Sequence, residues 1–196
     1  MATVNELNEK SAKLRAFFES KGWVEVHTQS RLSILAACED PTTISTYNYA
    51  GEVWPLPQTG QMWLEHELLS KPEVPGFFCV STSYRQEPNI IEGRHDLIFP
   101  MFEFEMPGNM NDLYKMEIEL CAYLGFGSIV DKNYEDWAIE FNVEELTHAE
   151  ENAMYGKYGN AQMIMNFPNH TSPFWNMKQN GDGTAAKIDV IIAGQE

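Results

Sequence analysis

Tyr84-Arg85-Gln86-Glu87-Pro88-Asn89-Ile90-Ile91-Glu92-Gly93-Arg94-His95-Asp96-Leu97-Ile98-Phe99-Pro100-Met101-Phe102-Glu103-Phe104-Glu105 is the most informative run in the chain. It opens at the end of a strongly β-forming stretch over 77–84, crosses a polar loop over 88–96, and returns through an aromatic-rich stretch over 97–105. Side chains alternate between the faces of a strand. Ser81, Ser83, Arg85 and Glu87 therefore share one face of the first strand, and Val80, Thr82 and Tyr84 the other. On the second, Phe99, Met101, Glu103 and Glu105 share a face, with Ile98, Phe102 and Phe104 opposite. If the strands pair with their mixed faces together, one surface displays an arginine, several carboxylates and an aromatic ring. Arg94 and His95 lie in the loop that could fold over it.

Those residue types suit a nucleoside triphosphate and an amino acid. Arg85 is a planar fork that fits a phosphate bidentately, and Phe99 offers a flat face to a purine. Glu87 could accept a hydrogen bond from an exocyclic amine. Arg94 and His95 could hold terminal phosphates, and Glu103 a ligand ammonium. Spacing alone leaves a plainer explanation open, a solvated hairpin whose cross-strand ion pairs contribute ~0–1 kcal/mol each.

Outward from this run, the chain predicts one domain of 196 residues with an ordinary 43% hydrophobic content. Thirteen basic against twenty-nine acidic residues give a formal charge of −16, which excludes a broad basic field for a polyphosphate backbone. Cys38, Cys79 and Cys121 lack any CxxC spacing and read as thiols of a reducing compartment, the cytoplasm. The five histidines show no metal-ligand spacing. No apolar run is long enough to span a bilayer.

A capping box at Thr3 and Glu6 predicts a helix ended by Gly22, followed by a strand over 23–26. Extended chain is expected over 44–49, a helix over 62–69, and a helix over 111–124 closed by Gly125. Beyond it come an acidic helix over 143–158 and a strand over 162–167. The turn signal Asn180-Gly181-Asp182-Gly183 predicts a hairpin joining 174–178 to 187–192. The expected class is α+β, a mainly antiparallel sheet with flanking helices.

Tyr84-Arg85-Gln86-Glu87, a loop with Arg94-His95, then Phe99 and Glu103-Phe104-Glu105 resembles motif 2 of class II aminoacyl-tRNA synthetases of the aspartyl, asparaginyl and lysyl group. The resemblance implies that Arg85 grips the α-phosphate of ATP, Glu87 reads adenine, Phe99 stacks on it, and Arg94 and His95 meet the γ-phosphate. It implies that Glu103 faces the amino acid's ammonium. Leu56-Pro57-Gln58-Thr59-Gly60-Gln61 resembles the family's amino-acid-binding segment, making Gln58 a substrate-contact candidate, although taken alone a turn-stabilising amide is the favoured explanation. The stretches 167–174 and 187–196 resemble later strands of the same core, with Glu196 in the place of a magnesium ligand.

By this likeness the chain is a single catalytic-core-like domain over 1–196, C-terminally incomplete, lacking motif 3 and an anticodon-binding domain. The segment 24–30 has no motif 1 proline, Pro100 implies an edge strand or bulge, and Ile98 stands where the family commonly has glutamate. The implied activity is ATP- and Mg2+-dependent formation of an aminoacyl-adenylate, with an amino acid substrate, tRNA as a partner, and a homodimer. Two alternatives stay open: a standalone amino acid ligase of the same fold, such as an asparagine-forming enzyme, and a non-catalytic paralogue that binds nucleotide or a partner.

Overall fold

The computed structural model describes residues 3–30, 35–93 and 95–195. The backbone divides into two compact units, Met1–Pro107 and Gly108–Glu196.

In the first unit, helix α1 (Val4–Ser20) begins at the expected capping box: the Thr3 amide donates to Glu6 Oε2 at 2.8 Å, and Glu6 N–H donates to Thr3 Oγ1 at 3.3 Å. Gly22, at φ 78°, turns the chain into the short strand β1 (Val24–Glu25). β1 runs parallel to β4 (Phe77–Tyr84), which pairs antiparallel with β5 (Ile98–Glu105). The sheet order is β1-β4-β5, so Pro100, without an amide hydrogen, sits on an edge strand.

One face of this sheet is aromatic. Phe18 of α1 lies 5.5 Å from Phe78, 5.6 Å from Phe102 and 5.1 Å from Phe104 between ring centroids. Phe78 and Phe102 stack on each other at 5.5 Å. Gly76 lets Trp23 approach, because a Cβ there would fall 2.5 Å from the indole. On the other face, α2 (Gln61–Ser70) packs against β4 and β5, with Leu64 buried beside Phe77 and Cys79. A two-stranded hairpin, β2 (Thr46–Tyr49) and β3 (Glu52–Pro55), turns through Ala50 and Gly51, both at positive φ.

In the second unit, α3 (Met110–Leu124) starts on an Asn109–Asp112 capping box and stops at Gly125 in the left-handed region. β6 (Val130–Asn133), β7 (Ala161–Pro168) and β8 (Thr184–Ile192) form a sheet in that order. α4 (Tyr134–Phe141) and α5 (His148–Tyr158) cover β7. Trp137 is fully buried, and its indole donates to Met163 O at 3.0 Å.

The α+β architecture agrees with the sequence, and three local expectations change. The turn at 180–183 forms, with Asn180 N–H donating to Thr184 O at 2.9 Å, but residues 174–178 are not a strand. β8 pairs along its length with the mostly buried β7, and Lys178 and Gln179 reach it across the turn. The acidic helix begins at His148, because Thr147 caps it and Asn142 in the left-handed region ends α4 just before. α4 itself was not foreseen, although Tyr134, Trp137, Ala138 and Phe141 stand at helical spacing.

Candidate functional site

The register decides how the first unit's second sheet face is composed. Ser83 pairs with Phe99, Ser81 with Met101, and Cys79 with Glu103. The two mixed faces therefore coincide. Arg85 continues the ladder past β4 by donating its amide to Leu97 O at 2.8 Å. At one end the surface carries Arg85 and Phe99, and at the other α2 covers Glu105 and Cys79.

Arg85 Nε lies 3.0 Å from Glu87 Oε1, yet is not aligned for a hydrogen bond and has no hydrogen-bond partner among the described residues. Its Nη2 is 3.8 Å from Asp40 Oδ2, a charge contact beyond hydrogen-bond range. Beneath it, Ser83 is 1% exposed and its hydroxyl is also without a partner among the described residues. Phe99 is half-buried on the same face. This end combines a guanidinium whose Nε makes no hydrogen bond among the described residues, an orphaned hydroxyl and a flat ring, which is suited to a planar ligand bearing an anionic group.

Glu103 is engaged inwardly. It accepts from the Thr59 and Ser81 hydroxyls and from the Gly60 amide at 2.7 Å. Gly60 is required here, since a Cβ would lie 2.7 Å from Cys79 Sγ and 3.1 Å from Glu103 Oε2. Burial, reinforced by the charges of Glu65 and Glu103, pushes Glu105 up to about 7. Burial likewise raises the Cys79 thiol to about 12 and Cys38 to about 11, so neither is a thiolate nucleophile near neutral pH.

Gln58 is 6% exposed and its amide is occupied at both ends. Its Oε1 accepts from Asp40 N at 2.9 Å, and its Nε2 donates to Asp40 O and Thr43 Oγ1, each at 3.0 Å. The turn-stabilising role is therefore the one the geometry displays. His95 is turned back on its own loop, Nδ1 accepting from Ile91 N at 3.3 Å. Arg94 and Glu196 lie outside the described residues.

Two acids went unnoticed in the sequence. Glu39, 6% exposed, accepts from Ala36 N at 2.5 Å and Gln58 N at 2.7 Å. Asp40 Oδ1 accepts from Thr42 N at 2.8 Å and Thr42 Oγ1 at 2.7 Å, and these bonds, helped by Arg85, hold its carboxyl below the usual range. The Asp40-Pro41-Thr42 turn was a readable signal for Asp40; Glu39 had none. Among the described residues no group of three His, Cys, Asp or Glu side chains converges on a metal position, and no helix is long and apolar enough to cross a membrane.

A family model described as tRNA synthetases class II (D, K and N) matches residues 7–196. The fold is similar to asparaginyl-tRNA synthetase from Pyrococcus horikoshii complexed with asparaginyl-adenylate, at TM-score 0.80 and 18% identity, covering 93% of this chain and 48% of that one. Entamoeba histolytica asparaginyl-tRNA synthetase in complex with asparaginyl-adenylate gives TM-score 0.80 and 18% identity, covering 94% and 48%. The aspartyl tRNA synthetase of Entamoeba histolytica gives TM-score 0.70 and 17% identity, covering 95% and 42%. The chain thus spans about half the length of the structures it matches. No curated protein matches the sequence.

Proposed function

Because the chain belongs to the class II tRNA synthetases of the D, K and N group, we propose that its motif 2 surface activates an amino acid with ATP. The observation that supports this best is the pairing of Ser83 with Phe99 and Cys79 with Glu103, which sets Arg85, Phe99 and Glu103 on one face. An amino acid carboxylate oxygen attacks the α-phosphorus, the bond to the β-phosphate bridge breaks, and pyrophosphate leaves with the electron pair. Arg85 neutralises charge building on the α-phosphate oxygens, Phe99 stacks on adenine and Glu87 accepts from its exocyclic amine. Arg94 and His95 meet the terminal phosphates once the loop opens from its internal bonds. Glu103 stands at the amino acid end as the counter-charge to its ammonium, and Gln58 holds the neighbouring loop through Asp40 and Thr43.

No protein nucleophile is needed. The catalytic contribution is positioning and charge neutralisation, and loss of one such group typically costs about 3–4 kcal/mol of barrier. Magnesium would accompany the ATP, but the named ligand Glu196 lies outside the described residues and no donor cluster converges within them.

Pyrophosphate exchange with each amino acid tests the proposal: exchange that depends on one amino acid and on Arg85 supports it, and exchange that no amino acid raises, or that is equal in wild type and Arg85→Ala, overturns it. A standalone amino acid ligase is the second reading, favoured by the −16 charge, which suits a polyanionic tRNA poorly. Adding tRNA to the exchange and product assays separates the two.

A further inference from the structure

We infer that Asp40 is a positioning residue for Arg85: anchored by Thr42 and Gln58, its carboxylate sets the plane in which the guanidinium meets an α-phosphate. The inference rests on the proposed ATP site and goes beyond it, because Asp40 belongs to no part of the motif 2 strands. It lies on the loop before β2, more than forty positions earlier in the chain, yet its Oδ2 is 3.8 Å from Arg85 Nη2.

Asp40 is held at its backbone N–H, its backbone C=O and its Oδ1. Oδ1 is taken by the amide and hydroxyl of Thr42, at 2.8 and 2.7 Å. The backbone N–H and C=O of Asp40 are bracketed by the Gln58 amide, at 2.9 and 3.0 Å. Gln58 is in turn held through its own N–H by the buried Glu39 at 2.7 Å. The loop is tied to the end of β4 as well, Gln86 N–H donating to Thr43 O at 2.8 Å. Oδ2 is left as a fixed negative point facing the guanidinium.

A guanidinium is planar, and two carboxylates beside it limit how that plane can turn. Glu87 Oε1 stands 3.0 Å from Nε, and Asp40 Oδ2 stands 3.8 Å from Nη2. Neither makes an aligned hydrogen bond with Nε, which has no hydrogen-bond partner among the described residues. The pair restrains Arg85 by charge while leaving donors for a ligand. Gln58, read from the sequence as a substrate contact, acts through Asp40 in this arrangement.

A fixed anion beside a phosphate site opposes ground-state binding of ATP while aligning its partner, so kcat and KM separate. In pyrophosphate exchange by the full chain, Asp40→Asn is expected to lower kcat three- to tenfold and to leave the KM for ATP unchanged or up to threefold lower. Asp40→Glu restores the charge but breaks the Thr42 turn, and is expected not to rescue kcat. A purely structural defect would lower only the fraction of active sites, which a burst of adenylate counts separately. Unchanged kcat, or a raised KM at unchanged kcat, overturns the proposal.

A second measurement is independent of activity. The Nε–H signal of Arg85 in 15N-arginine-labelled protein, assigned with Arg85→Lys, is expected to become motionally averaged in Asp40→Asn. An Arg85 signal that does not respond overturns the positioning role. Wild-type protein that neither exchanges pyrophosphate nor binds ATP overturns the synthetase reading, while the NMR comparison still decides whether Asp40 holds Arg85.

Discussion

Glu103→Ala is expected to destabilise the first unit far more than an ordinary half-buried surface change. The carboxylate accepts from two hydroxyls, Thr59 and Ser81, and from the Gly60 amide. Hydrogen bonds to a charged group are worth roughly 1.5–3 kcal/mol each, and a donor left without a partner costs about 1–3 kcal/mol. Three such bonds set a gross upper limit of roughly 5–9 kcal/mol, from which water entering beside a half-buried group subtracts much. A net loss of about 2–4 kcal/mol remains, large against the ~5–15 kcal/mol total of a typical domain. Glu103→Gln keeps the volume and one acceptor, and should lose only about 1–2 kcal/mol. Urea unfolding followed by tryptophan fluorescence measures both, and saturating amino acid should raise the wild-type midpoint but not that of Glu103→Gln. A Glu103→Ala midpoint within about 0.5 kcal/mol of wild type would refute the reasoning, since that is the scatter of ordinary surface substitutions.

Arg85→Lys should lower kcat/KM in pyrophosphate exchange by roughly 10²-fold or more, because a point charge does not reproduce a planar fork. Phe99→Ala should raise the KM for ATP by roughly tenfold, a base–aromatic stack being worth about 1–3 kcal/mol, with little change in that for the amino acid. Glu117, raised to about 8 by burial and then by the charge of Asp189, keeps its proton when folded and loses it near 4.5 when unfolded. The folded state therefore binds more protons between those values, and stability falls as pH rises from about 4.5 to about 8, by at most ~5 kcal/mol. Glu117→Gln should flatten that fall in urea titrations at pH 5 and pH 8.5, whereas parallel curves for the two proteins would sink the assignment. Trp137→Phe, which leaves Met163 O without its 3.0 Å donor in a fully buried position, should cost about 1–3 kcal/mol by thermal unfolding.

The strand pair was legible because period-two alternation and an eight-residue length leave few alternatives. Phe78, Phe102 and Phe104 demanded one buried face, and that fixed where Ser83, Arg85, Phe99 and Glu103 had to point. The hairpin at 180–183 was half legible. The glycines at 181 and 183, at φ 87° and 91°, make the turn locally, but the partner of β8 was chosen by long-range burial against β7. Gln58 was ambiguous for a similar reason. Its partners, Asp40 and Thr43, stand 18 and 15 residues earlier, and no local pattern announces such bonds. α4 was written plainly in Tyr134, Trp137, Ala138 and Phe141, and only its shortness hid it behind the longer acidic run.

Gly60 joins three things that would otherwise move separately. Its amide meets Glu103, the Cys79 sulfur fills the space a Cβ would need, and its carbonyl starts the first turn of α2 by accepting from Trp63 and Leu64. A pull on the carboxylate of β5 is therefore a pull on the root of a helix whose Leu64 is wedged under the same strands. Glu103, the Cys79 sulfur and the first turn of α2 therefore meet around one glycine, and a methyl group at that point would push them apart.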